Sequence, residues 1–191
     1  MGGVTGILGG AFDPPHRGHL ELARAAIEQL GLARLLVLVV ADPAHKGVEA
    51  LPEIRLELTR LAFAGVDRAE VELDPHGRTV DSLEERMIDD AIFVIGADEL
   101  AAFHRWKRPG RVLELVRLGV ARRPGVPDAA LADALERVPD PTRVVLFDLD
   151  PLDVSSTEVR ERVAADEVID HLVPEPVAEA IARLGLYQGA E

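Results

Sequence analysis

The chain contains no cysteine, which excludes disulfides, thiolate metal sites and a cysteine nucleophile together. Lysine is nearly missing: Lys46 and Lys107 are the only two, and arginine supplies every other cation. Aromatic residues make up 4% of the chain, with Trp106 the single tryptophan. No apolar run approaches the length of a membrane span. The opening MGGVTGILGG lacks the basic flank and long apolar stretch of a signal peptide. The expectation is a soluble cytoplasmic protein with no membrane partner. Positive charge is also in deficit, 21 basic against 34 acidic residues for a net −13. That argues against a general nucleic-acid binder, which needs a basic surface. It leaves room for a nucleotide enzyme, where a few local cations and backbone amides hold the phosphates.

What the chain does have is an ordinary core. Its 191 residues suit one domain spanning 1–191, and 48% of them are hydrophobic. Residues 4–8 read as a short strand running into a glycine-rich loop. Leu20, Ala23, Ile27 and Leu30 recur at helical spacing and stop at Gly31, a usual helix terminator. LLVLVV at 35–40 and AIFVI at 91–95 are continuous apolar runs that suit strands covered on both faces. Residues 53–64, 79–87, 112–116 and 128–138 read as helices, while 71–73, 118–121 and 143–147 read as shorter strands. Two further helices follow Ser155 and Pro174. Strands alternate with helices throughout, which implies an α/β fold: an open, doubly wound, mostly parallel sheet with helices on both faces. Ligands bind such sheets outside the carboxyl ends of the strands. The unusual loops at 9–17, 41–51, 96–98 and 153–156 all follow strands, so they are expected on one rim.

The first loop, GGAFDPPHRGH at 9–19, carries the strongest chemical signal. Gly9 and Gly10 follow the strand directly, where a missing side chain lets backbone approach a phosphate. His16 and His19 stand at i and i+3, so a helix starting near Pro15 would place both on one face of its first turn. Free N–H groups and the helix dipole already favour an anion there. Two histidines could instead begin a metal site, but a catalytic site adds a third ligand and a water, and no third ligand stands nearby. Near the C-terminus, Ser155-Ser156-Thr157-Glu158-Val159-Arg160 reads as a capped helix start, Ser155 with Glu158 three residues on. The same N-terminus can grip an anion, with Arg160 adding a fixed charge.

GxFDPxHxGH resembles the first signature of the nucleotidyltransferases related to class I aminoacyl-tRNA synthetases, and SSTxVR resembles the second. The resemblance implies that Gly9, Gly10, Phe12, His16, His19, Ser156, Thr157 and Arg160 bind ATP. Spaced pieces across the middle resemble the bacterial nicotinate-mononucleotide adenylyltransferase family: PAHK at 43–46, TVDSL at 79–83, IGADEL at 95–100, Trp106, RRPG at 122–125 and LVPEPVAEAIARLGLY at 172–187. That branch implies AMP transfer from ATP to nicotinate mononucleotide, with Mg²⁺ bridging ATP phosphates and no dedicated protein metal site. It implies phosphate contacts for the catalytic set His16, His19, Lys46 and Arg160, and a ribose contact for Asp98 beyond Gly96. His45, Thr79, Val80, Trp106 and Lys107 would line the acceptor side, Trp106 stacking on the pyridine ring. Related acceptors (nicotinamide mononucleotide or phosphopantetheine) and a non-catalytic nucleotide-binding regulator are the alternatives, and the oligomeric state, a homo-oligomer included, is open. The chain departs from the pattern at Val39-Val40-Ala41-Asp42, where a proline and a polar residue are usual, at Ala44, where the family has a second proline, and at PHGR (75–78). His76 and Arg78 have no family role to inherit, although Arg78 could attract a carboxylate.

Overall fold

A computed structural model describes residues 3–43, 47–122, 128–150 and 152–189. The described residues form six strands: β1 (Thr5–Gly10), β2 (Arg34–Val40), β3 (Ala69–Asp74), β4 (Ala91–Gly96), β5 (Arg117–Arg122) and β6 (Val144–Asp148). They also form eight α-helices: α1 (Arg17–Gln29), α2 (Pro52–Phe63), α3 (Thr79–Arg86), α4 (Ala97–Ala102), α5 (Pro109–Leu115), α6 (Asp128–Glu136), α7 (Ser156–Ala164) and α8 (Glu175–Leu184). All strand pairs are parallel, in the order β3-β2-β1-β4-β5-β6. The doubly wound expectation therefore holds. The short α4 was not foreseen, β3 is longer than its 71–73 core, and the turn expected at 123–125 lies outside the described residues.

The apolar runs work as the two-residue strand period requires. Leu35, Val37 and Val39 of β2 pack with α1, α2, α7 and α8 on one face. Leu36 and Leu38 pack with α3, α5 and α6 on the other. Gly31, at φ +62°, follows the C-cap of α1, and Gly185, at φ +61°, closes α8, each in the left-handed conformation that glycine adopts without penalty.

The strand order reverses at β1, whose neighbours are β2 and β4. β1 follows β2 through Gly10↔Val39, but its pairing with β4 ends at Ile7↔Phe93. Beyond that point the two strands part, and a cleft opens between their carboxyl ends, as expected at a topological switch point.

The irregular loops on this rim are held by Arg55, a fully buried guanidinium (0% exposed) on α2. Its NH1 donates to the carbonyls of Ala11 (2.6 Å) and Val40 (2.9 Å), NH2 to Ala41 (2.7 Å) and Nε to Ala50 (3.1 Å). The loops after β1 and β2 are thus tied to one planar group. Burial lowers its pKa, while Asp13 and other acids nearby raise it; the arginine stays charged.

Replacing Arg55 with Met fills the volume but leaves four carbonyls without their donor. The expected loss is about 3–5 kcal/mol of unfolding free energy by urea titration. A loss below about 1 kcal/mol would show that water replaces the guanidinium without penalty.

Candidate active site

The cleft has a volume of about 870 Å³. One end is built from the loop after β1 and the start of α7. Gly9 and Gly10 line it, and the structure gives their absent side chains a further reason. A Cβ on Gly10 would sit 3.0 Å from the Phe12 ring, and one on Gly9 would sit 3.2 Å from Phe93. The glycines make room for aromatic rings that floor the cleft. Phe12 itself is buried at φ +50°, a costly conformation for a bulky residue. Its ring lies 4.9 Å from that of His19 and meets Phe63 edge-on at 6.2 Å.

His16 is the N-cap of α1 and His19 its third residue, so the helix begins slightly later than expected near Pro15. The two imidazoles stack, with centroids 3.8 Å apart, and both line the cleft. His19 Nδ1 accepts the His16 backbone N–H at 3.2 Å. That nitrogen must then be unprotonated, so the neutral ring carries its proton on Nε2, as a donor.

Opposite stand Ser156, Thr157 and Arg160 of α7. Ser155 caps that helix through the Glu158 N–H (3.1 Å), while the Glu158 side chain pairs with Arg162 instead of closing a capping box. The Ser156 hydroxyl donates to the Pro14 carbonyl (2.8 Å), and Arg160 NH1 donates to the Asp13 carbonyl (2.7 Å). Arg160 Nε pairs with Glu49 Oε1 (2.8 Å). The two signature segments, some 140 residues apart, therefore touch. The Asp13 carboxylate is buried and accepts the N–H groups of Glu49 (2.6 Å) and Ala50 (3.2 Å) and the hydroxyl of Tyr187 (2.7 Å). Sequence reasoning missed Arg55, Glu49 and Tyr187.

The other end of the cleft is lined by Asp74, His76, Arg78, Thr79, Val80 and Ser82 from β3 and α3, facing Trp106 and Lys107. Trp106 leans on Phe103 (5.2 Å) and edge-on against Phe93 (5.9 Å), leaving it half-buried at the rim. His76 bridges Asp74 and Glu85, each at 3.0 Å from a ring nitrogen. Among the described residues the buried Ser82 hydroxyl (residue 3% exposed) has no hydrogen-bond partner, a place where a ligand or water is wanted. Val40, at the position where a polar residue is usual, also lines the cleft.

Asp98 is exposed on the first turn of α4 and does not line the cleft; Glu99 does, beside Gly96. Lys107 spends its charge on both oxygens of Asp81, at 2.9 and 2.8 Å. His45 and Lys46 lie outside the described residues, although Pro43 and Gly47 on either side line the cleft. Among the described residues no group of three or more His, Asp and Glu side chains is placed to hold a metal ion, and no helix is long and apolar enough to cross a membrane.

An exposed network of ions holds the Trp106 segment to α3. Arg108, at φ +51°, pairs with Glu84 (2.7 Å) and Asp81 (3.4 Å), and Arg111 also reaches Glu84 (3.0 Å). These cations lower the pKa values of Asp81 and Glu84, chiefly through their hydrogen bonds. A depressed carboxylate pKa means the clamp is intact above the ordinary carboxylate range and is lost as pH falls through the folded value. Asp81→Asn should therefore raise acrylamide quenching of Trp106 at neutral pH, with little change in melting temperature. The parent protein should reach the same quenching only below about pH 4 or in concentrated salt. Quenching that ignores all three changes would mean that packing alone holds the tryptophan.

Comparison with known proteins places this geometry. Residues 7–162 match the family model described as Cytidylyltransferase-like. A Thermomicrobium roseum protein named "Probable nicotinate-nucleotide adenylyltransferase" is 38% identical over 198 residues, covering 97% of this chain and 92% of its own. A Chromobacterium violaceum protein of the same name is 35% identical over 212 residues, covering 98% of this chain and all of its own (100%). Among solved structures, Plasmodium falciparum nicotinic acid mononucleotide adenylyltransferase complexed with NaAD superimposes with a TM-score of 0.77 at 16% identity, over 97% of each chain.

Proposed function

The chain belongs to the cytidylyltransferase-like family, in its nicotinate-nucleotide adenylyltransferase branch, and from that premise we propose that it transfers AMP from ATP to nicotinate mononucleotide. The products are deamido-NAD and pyrophosphate. The observation that carries the reading is the meeting of GGAFDPPHRGH and SSTEVR at one end of a cleft whose other end offers an aromatic wall at Trp106. We take residues 1–191 as a single nucleotidyltransferase domain.

A phosphate oxygen of the acceptor attacks the α-phosphorus of ATP, the bond from the α-phosphorus to its bridging oxygen breaks, and pyrophosphate leaves. The nucleophile is ionised already, since a phosphate monoester loses its second proton near pH ~6, so no general base is required. The protein's work is to align two anions that repel each other and to neutralise charge as it builds. His19 Nε2–H and the His16 ring face the phosphates from one side. Arg160 and the first two N–H groups of α7, which have no intrahelical acceptor, face them from the other. Lys46 is assigned to the phosphates and His45 to the acceptor side by the family pattern. Thr79, Val80 and Trp106 hold the pyridine ring, and Gly96 with its neighbours on α4 holds the adenosine side. A Mg²⁺ on the ATP phosphates would neutralise part of their charge, held by phosphate oxygens and water.

Pyrophosphate release should be measured with ATP, Mg²⁺ and, separately, nicotinate mononucleotide, nicotinamide mononucleotide and phosphopantetheine. Turnover with the nicotinate form at least about tenfold above the others is expected; turnover with none of them would overturn the reading. His19→Ala should lower kcat by about 10²–10³ while shifting the melting temperature by only a few degrees; near-normal kcat would remove His19 from the phosphates. Ser82→Ala removes a hydroxyl that the protein leaves unsatisfied, so stability should hold or rise. The KM for the acceptor should rise about three- to tenfold if that hydroxyl binds it; an unchanged acceptor KM would show that it does not.

A further inference from the structure

We propose that Tyr187, at the far end of the chain, is a positioning residue for the triphosphate: by occupying the Asp13 carboxylate it keeps Arg160 aimed into the cleft. The inference rests on the reading of this end of the cleft as the ATP site.

Tyr187 lies beyond α8, is 8% exposed, and adopts φ +60°, a left-handed conformation uncommon for any residue but glycine. That geometry delivers its hydroxyl to Asp13 Oδ1 at 2.7 Å. The same oxygen accepts the Ala50 N–H at 3.2 Å, and Oδ2 accepts the Glu49 N–H at 2.6 Å. Arg160 uses the same two residues: NH1 is on the Asp13 carbonyl (2.7 Å) and Nε on the Glu49 carboxylate (2.8 Å). Tyr187 and Arg160 therefore share Asp13 as an acceptor residue and meet through it. Burial and the neighbouring Asp13 push the phenol pKa well above its ordinary value, so the hydroxyl remains a donor throughout the working pH range.

Removing the hydroxyl leaves a buried carboxylate oxygen with a single long backbone bond. Of the two guanidinium groups near Asp13, Arg55 is committed to four carbonyls, whereas Arg160 is already bonded to the carbonyl of Asp13 itself. A guanidinium drawn onto the Asp13 carboxylate is no longer presented to the nucleotide. The cost should fall on ATP and spare the acceptor, whose side of the cleft is built from β3, α3 and the Trp106 segment. The expected loss in affinity for ATP is about tenfold.

The first test is steady-state kinetics of Tyr187→Phe. The expected result is a KM for ATP raised about tenfold, with the KM for nicotinate mononucleotide within about twofold of the parent. A lowered melting temperature with an unchanged KM for ATP would assign Tyr187 to stability alone and overturn the proposal. So would a fall in kcat with both KM values unchanged. The second test places Tyr187→Phe on an Arg160→Ala background, where it should add nothing to the KM for ATP; an additive effect would show that Tyr187 does not act through Arg160. The third needs no variant. Tyr187 is the only tyrosine, so a ¹³Cζ-tyrosine label gives one resonance. A non-hydrolysable ATP analogue with Mg²⁺ should shift it and nicotinate mononucleotide alone should not; a resonance unmoved by the analogue overturns the proposal even if the Phe variant fails to fold. Absence of turnover in the parent protein would instead defeat the proposed function, so the two failures are distinguishable.

Discussion

The cleft depends on the exchange between a buried guanidinium and backbone carbonyls that no strand or helix can satisfy. Loops leaving the carboxyl ends of parallel strands have to be irregular if they are to present side chains to a ligand, and irregular backbone under cover needs partners. Arg55 supplies them in one plane, reaching Ala11, Val40, Ala41 and Ala50. Asp13 does the converse, collecting N–H groups from the second loop and a hydroxyl from the C-terminus. With carbonyls held by a cation and amides by an anion, residues 11–13, 40–41 and 49–50 are fixed without regular structure. His16, His19 and Arg160 line the cleft beside them.

The sheet was legible because its signals are local. Continuous apolar runs marked β2 and β4, glycines marked helix ends, and the rule for open parallel sheets put four loops on one rim, where Gly9, Pro43, Gly96 and Ser156 are all found. The supporting network was less visible. Arg55 did leave a trace, since the buried positions of α2 are Arg55, Leu58, Thr59, Ala62 and Phe63; an arginine at i with apolar residues at i+3, i+7 and i+8 occupies the inward stripe. Tyr187 stood at the end of the family-like segment 172–187, but its partner did not show, because Asp13 is 174 positions away in sequence and nothing local marks such a pairing.

The charge balance carries a related lesson. A chain of net charge −13 is read as one that handles two anionic substrates, and the site shows how both can hold. Two of the cations that line the cleft are held by acids, Arg160 by Glu49 and Lys107 by Asp81. An acidic protein can in this way keep local cations at a cleft without exposing a broad basic surface.

The two ends of the cleft are held by different physics, and this bears on where the chain departs from its family's pattern. At the end built from the loop after β1 and α7 most ties are buried or half-buried hydrogen bonds with charged partners, little screened by salt and expensive to break. At the other end the ties between α3 and the Trp106 segment are exposed ion pairs, each weak and readily screened. A substitution near Arg55 or Asp13 disturbs both loops at once, whereas one near α3 changes the lining and little else. The departures at Val40, His76 and Arg78 all line the cleft. His76 is absorbed there by a new pairing with Asp74 and Glu85, and Arg78 sits at the N-cap of α3. The end of the cleft built from the loop after β1 and α7 is thus constrained by its own interlocking, while the lining at β3 and α3 can change its chemistry without loosening that end.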